Sequence, residues 1–396
     1  MLKSINYLFV FLVIMDLPLV TIFGLNGVHV IAEMLMFVTT FLHVSDKKFI
    51  RIITSTPVVL WLLWIIYSLI NWRFSPGPRS TDLGNPLYML HYILTPLFTM
   101  LISYYEGSRD LKQFLTFCIV VMSAYVVIGV TMQGGGAVAS DERTGTSLGN
   151  ELALTSCVLA FVSFLSFSKK YIKTPLFLFV NFLVLVGIFF ISTRKAMGGW
   201  FVIVFFYLVG YYNLKDPKKI IGFGIALAVI GLGAMYILQN TFMGERMMDI
   251  ENSSAKWMEN DSNLFLRYMG DRAYFYIYGW ALFLQYPWTG IGLENFGFYM
   301  IRDERIHSEY IVELCENGVI GSLLYLIFNI SIIKSIVKSF KIQPRIVSFV
   351  CVGGMACIIF ISFYAWTYSV SKYFIMMGII LSVCMPTLYK KQSLKF

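Results

Sequence analysis

The sequence predicts an all-α polytopic membrane protein, with about twelve transmembrane helices and one long external loop holding short interfacial helices. Three observations predict it. Hydrophobic residues make up 58% of the chain and charged residues only 13%, with a mean hydropathy of +0.73, a balance foreign to soluble domains. The apolar residues gather in stretches of about 17–24, each long enough to span a ~30 Å hydrocarbon core. Between the stretches, Lys and Arg are dense in every second connection and sparse in the others.

Taken in order, the first stretch (near 4–24) runs almost directly into a second at 27–43 and has no small-residue cleavage site. It is therefore a retained helix rather than a cleaved signal peptide. Stretches follow near 52–71, 87–105 and 111–132. Two polar outer segments interrupt them: NWRFSPGPRSTDLGNP at 71–86, made irregular by Pro76, Gly77 and Pro78, and the glycine-rich QGGGAVASDERTGTSLGN at 133–150. Asn150 can cap the next helix, and Glu151 in the first turn suits its positive end. Stretches at 151–168, 174–193, 197–213 and 219–239 complete a transmembrane region over 1–239. Short connections make neighbouring helices antiparallel. Gly222, Gly224, Gly231 and Gly233 are expected to pack closely against a second helix.

Residues 240–306 form the long external loop, polar at first and then dense in aromatic rings. Its stretch 272–286 reads as a helix at the outer interface, where Tyr and Trp keep an apolar body and a wet tip. Pro287 ends that helix, and Gly290 and Gly292 supply a turn. Residues 307–396 hold an external helix start and the last three stretches, near 318–333, 346–366 and 373–389. No internal repeat is visible, which argues against a transporter, a class commonly built from repeats.

Orientation follows from charge. With Lys3 inside, the inner connections and ends carry 19 Lys and Arg, against 6 in the short outer ones (Arg73, Arg79, Arg143, Arg194, Lys195, Lys372). The long loop is excluded because such loops translocate largely regardless of charge. Both termini are therefore expected in the cytoplasm. The net charge of +9 is spent mostly on inner anchors such as SFSKKYIK, which points to anionic lipid rather than nucleic acid. The six cysteines show no CxxC pair or metal-ligand spacing, so they read as core residues with neither disulfide nor zinc.

This orientation gathers the candidate functional residues on the outer face. Arg194 and Lys195, in FFISTRKAMGGW, stand where one helix ends and another begins at about Met197. A guanidinium beside exposed helix N–H groups suits phosphate, and a snorkelling anchor is the plainer alternative. Arg143 lies in the outer loop leading into a span, where it is either an anion ligand or a solvated charge. Arg272 opens the aromatic helix, where the dipole disfavours a cation unless an anion binds; a surface pair with Asp271 is the alternative. His307 precedes a helix whose positive end favours the neutral imidazole that a general base requires. Glu309, Glu313 and Glu316 form one helical stripe pointing away from His307, either complementing the dipole or facing a neighbouring helix. Asp16 and Glu33 lie inside the first two spans with no basic partner evident, so structural hydrogen bonding is favoured over proton relay.

Three blocks occur in order: RTGTSLGNELA (143–153), ISTRKAMGG (191–199), and GDRAYFYIYGWALFLQYPWTGIGLENF followed by HSEYIVELCENGVIG (270–321). Together they resemble the signature of the bacterial O-antigen ligase and O-antigen polymerase (Wzy-type) superfamily of membrane glycosyltransferases, which implies a GT-C-like helical fold. The last block, with P-x-x-G-I-G-x-x-N-F, H-x-x-Y and E-x-G-x-x-G, is the most specific. The resemblance covers the second two-thirds of the chain; the first 130 residues match only as a run of spans. It implies an active site on the outer face of the inner membrane. There an undecaprenyl-diphosphate-linked glycan would be transferred to a sugar hydroxyl without a metal or other cofactor. By motif position, Arg194, Arg272 and Arg143 would hold the diphosphate and His307 would serve the acceptor. The helix-turn motif departs from the family's Ser-Arg-small pattern by reading Thr193-Arg194-Lys195, so Lys195 either adds a charge or anchors. A polymerase, acting in O-antigen or capsule polysaccharide biosynthesis with a chain-length regulator as partner, is favoured. A ligase transferring to lipid A core, and a lipid-linked oligosaccharide flippase, are the alternatives.

Overall fold

The computed structural model describes residues 2–24, 28–75, 93–133, 147–191, 194–212, 216–240, 271–299, 308–364 and 370–385. These are helical throughout, with turns and one short 3-10 segment at Phe296–Tyr299. In chain order the helices are α1 Leu2–Phe23, α2 Val28–His43, α3 Lys47–Ile53, α4 Thr56–Phe74, α5 Thr95–Arg109, α6 Leu111–Gln133, α7 Ser147–Ser168, α8 Thr174–Ile191, α9 Arg194–Tyr211, α10 Pro217–Asn240, α11 Asp271–Gln285, α12 Glu309–Ser339, α13 Arg345–Ser362 and α14 Ser371–Cys384. Five of them contain an apolar window of sufficient length to cross a bilayer, in α4, α6, α7, α12 and α13, and shorter apolar helices accompany them. The expected stretch at 52–71 is displaced towards 56–74. Asp46 caps the separate helix α3 by accepting a hydrogen bond from the Lys48 N–H, and Pro57 starts α4 at a position that needs no helical N–H.

At the centre stands α7, buried at every residue from Leu152 to Ser166 and packed against α6, α8, α9, α13 and α14. The most extensive interfaces are α5 with α14 and α9 with α13. On the other side α4 packs along α12, with Trp61 and Trp64 stacked at 4.5 Å and Trp61 meeting Phe328 and Phe374. Outward faces carry apolar residues such as Phe37, Phe41, Leu178, Phe182 and Leu326, which only a lipid solvent makes tolerable over so large an area. All six cysteines are buried in helices.

The expected role of the α10 glycines is not met. A Cβ on Gly224, Gly231 or Gly233 would touch nothing within 4 Å, and one on Gly222 would meet only the Tyr212 ring. Helix α10 leans lightly on α9 and exposes Ile221, Ile225, Val229 and Leu232, so its glycines line open surface.

Cross-links assign ends to the bundle. Lys3 hydrogen-bonds Gln113, Tyr105 Oη donates to Asp46 at 2.5 Å, Lys169 Nζ donates to Gln343 at 2.6 Å, and Gln343 Nε2 donates to the Val383 carbonyl at 3.0 Å. The segments richest in Lys and Arg therefore share one end. The starts of α7, α9, α12 and α14 gather at the opposite end.

Gly378 of α14 lies so near α5 that a Cβ would stand 2.6 Å from the Met100 carbonyl oxygen and 2.9 Å from the Tyr104 nitrogen. Backbone cannot yield as a side chain can. Gly378→Ala is expected to cost about 1–3 kcal/mol, read as a lower unfolding temperature in detergent, whereas Gly224→Ala on the open face of α10 should leave that temperature unchanged or raise it.

Candidate functional site

The most specific sequence block owes its form to one backbone event. Helix α12 breaks at Gly318, whose φ of 60° and ψ of −166° open the helix by a turn. In a continuous helix the Val319 and Ile320 N–H groups would bond to the carbonyls of Cys315 and Glu316. Instead, residues 287–292 are inserted between them. Ile291 N–H donates to Cys315 O at 2.9 Å and Gly292 N–H to Glu316 O at 2.8 Å, while Val319 N–H donates to Pro287 O at 2.8 Å and Ile320 N–H to Trp288 O at 3.3 Å. Every group released by the break is thus taken up again.

Glycine is required on both sides of this junction. Gly290 has φ +72°, and a Cβ there would lie 2.5 Å from the Glu316 backbone; a Cβ on Gly318 would lie 2.5 Å from the Trp288 backbone. Side chains then close the joint. Both oxygens of the buried Glu316 carboxylate accept backbone N–H groups, from Glu294 at 2.8 Å and Phe296 at 3.1 Å. Asn71 of α4 donates to Thr289 O at 2.6 Å and Glu316 O at 2.8 Å, and Asn295 donates to Ile291 O at 2.8 Å. Glu313, one turn earlier, accepts from Trp64 Nε1 at 3.1 Å and Asn317 Nδ2 at 3.2 Å. The glutamate stripe therefore faces α4 and the inserted segment, in line with the expectation of a neighbouring helix.

Of the predicted site residues, Arg143 and His307 lie outside the described residues, as do the side chains of Arg194 and Arg272. The backbone places Arg194 as the first residue of α9, with the half-buried Lys195 next, and Arg272 as the second residue of α11. The next helix thus begins three residues earlier than the expected Met197.

Neighbours of three predicted residues touch one feature, the C-terminal end of α13. One turn after Arg194, a Cβ on Gly198 would meet the Phe360 ring. One turn after Arg272, Tyr276 Oη donates to Phe363 O at 3.1 Å. Three residues after His307, Tyr310 Oη donates to Ile359 O at 3.2 Å and its ring lies 4.6 Å from that of Phe363. Helix α7 joins through Cys157 Sγ, which donates to Ala196 O at 3.3 Å.

One charged group escaped sequence reasoning. Lys372, in the first turn of α14, is buried and donates to Glu151 Oε2 of α7 at 2.6 Å. Its ammonium sits 4.3 Å from the centroid of the Tyr125 ring. Residues 125, 151 and 372 meet only after α6, α7 and α14 are assembled, and no linear spacing announces that. Among the described residues, no three His, Cys, Asp or Glu side chains converge as metal ligands.

Residues 179–326 match a family model described as O-antigen ligase, and the match supports the O-antigen ligase/polymerase superfamily. The matched stretch runs from α8 to the middle of α12 and includes Arg194, Lys195, Arg272, His307 and the whole junction at Gly318. No curated protein matches the chain.

Loss of the junction should be separable from loss of chemistry. Gly318→Ala places a Cβ against backbone at a strained φ and should destabilise the protein by about 2 kcal/mol or more, read as increased proteolysis near residue 290. Glu316→Gln keeps one acceptor oxygen and should be milder than Glu316→Ala in the same assay.

Proposed function

We propose that a chain carrying this O-antigen ligase/polymerase-type segment is a polysaccharide polymerase of the inner membrane. It would transfer an undecaprenyl-diphosphate-linked glycan to a sugar hydroxyl of another lipid-linked repeat unit. The observation that carries the reading is the matched stretch itself, which holds Arg194, Lys195, Arg272 and His307 together with the Gly318 junction. The meeting of their neighbours at the end of α13 supports it.

In the proposed reaction, the acceptor oxygen attacks the anomeric carbon, the bond from that carbon to the diphosphate oxygen breaks, and the lipid diphosphate departs with the electron pair. His307 takes the hydroxyl proton. Charge growing on the leaving group is met by Arg194, Arg272, Arg143 and Lys195, aided by the positive ends of α7, α9, α12 and α14, which start on that side. Guanidinium groups here do the work for which other transferases recruit a divalent cation. The excess of Lys and Arg at the opposite end supports cytoplasmic termini and an outward site.

Ligation to lipid A core would use the same groups on a different acceptor. In a deletion strain, core bearing a single repeat on gels of surface polysaccharide indicates the polymerase. Long chains stranded on the lipid carrier indicate the ligase, and repeat units trapped inside the cell contradict both. Arg194→Ala, Arg272→Ala and His307→Ala should each lower turnover by about 10²–10³ while the protein remains in the membrane. Wild-type chain length in the His307 variant would remove that residue from the mechanism.

A further inference from the structure

The Glu151–Lys372 pair stands outside the family-matched stretch and plays no part in the reaction as written. Its exposure is lopsided: the Lys372 side chain is 4% exposed and that of Glu151 27%. Helix α7 is enclosed from Leu152 to Ser166, so Glu151 can open only at the N-terminal end of the helix, where α9 and α14 also begin. The lysine comes from the enclosed side, its ammonium 4.3 Å from the centroid of the Tyr125 ring.

Stability does not call for this arrangement. A buried ion pair loses in desolvation much of what it gains in attraction, and apolar residues of similar volume serve as well or better. A cation in the first turn of α14 is moreover opposed by that helix's own positive end. An ionised pair within a membrane bundle marks a path or binding site for a polar ligand. A carboxylate held in one orientation from the rear, with its front open, is an acceptor for hydroxyl hydrogens. A sugar presents several hydroxyls, and a charged acceptor forms stronger hydrogen bonds with them than a neutral one.

Building on the proposed function, we infer that Glu151 binds hydroxyl groups of the glycan at the outer end of α7, and that Lys372 is the positioning residue that fixes its carboxylate. Glu151 would then hold the sugar while the basic residues of the matched stretch hold the diphosphate. Its loss should weaken glycan affinity more than it slows the chemical step.

The test uses the full chain in detergent and two probes: lipid-linked oligosaccharide extracted from a strain lacking the chain, and the free oligosaccharide released from it by mild acid. Binding of the free oligosaccharide is measured by calorimetry and transfer by gel. Glu151→Ala is expected to weaken free-oligosaccharide binding about tenfold or more and to raise KM with kcat within about threefold. Glu151→Gln should be intermediate. Glu151→Gln with Lys372→Met removes both charges at nearly constant volume, so it keeps the fold and should show the full loss if Glu151→Ala proves too unstable. Arg194→Ala should keep free-oligosaccharide binding and lose transfer. Wild-type affinity in the double variant overturns the inference and leaves the proposed function standing. Wild-type protein that binds the oligosaccharide without transferring it overturns the proposed function, and the Glu151 variants still decide the binding role. Wild-type protein that neither binds nor transfers overturns both.

Discussion

Backbone hydrogen bonds exchanged between residues 287–292 and the break at Gly318 are the constraint on which the end of the bundle where α7, α9, α12 and α14 begin depends. In lipid a released N–H or carbonyl has no water to turn to, and each costs several kcal/mol. Irregular backbone survives at that depth only when other backbone replaces the lost partners. Four intersegment bonds do so here, with Glu316, Asn71 and Asn295 covering what the turn leaves over. From this fixed point two rigid arms lead outward: about 15 Å of α12 back to Ser308, and about 20 Å of α11 back to Arg272. The starts of α11 and α12 are therefore related to each other through one joint.

Three glutamates show how acidic groups are held in the bundle. Glu313 has two side-chain donors, Glu316 two backbone donors, and Glu151 a lysine. The opposite end of the bundle shows the same pattern, where Asn6 lies between His43, at 3.1 Å, and Glu106, to which it donates at 2.5 Å. A bilayer cannot screen a charge, so each carboxylate must find its partner within the protein. The polar groups consequently form links between helices distant in sequence, such as α1 with α5 and α7 with α14.

Much of this organisation was legible in the chain. Apolar length depends on bilayer thickness alone, and each apolar stretch contains a helix in the structure. The turn at Gly290 and Gly292 was legible because left-handed backbone has few substitutes for glycine. The spacing E-x-G-x-x-G showed that Gly318 mattered without showing why, since the reason lies in a partner segment some thirty residues away. The α10 glycines misled because small residues mark close packing only when a second helix is present. Lys372 entered only the tally of outer positive charges; its burial beside Glu151 depends on the assembly of α6, α7 and α14. Arg143 and His307 remain legible from sequence alone, because they lie outside the described residues.

The central claim is that Arg194, Arg272 and His307 face one another at the outer mouth. It is tested most directly by pairing Arg194→Cys with His307→Cys, and Arg272→Cys with His307→Cys, in a membrane-embedded chain exposed to a short bifunctional, membrane-impermeant thiol reagent. The native cysteines are buried and give little background. Cross-linking of both pairs from the external side is the predicted result. Reaction from the cytoplasmic side only, or external labelling of each position without a cross-link, would contradict it.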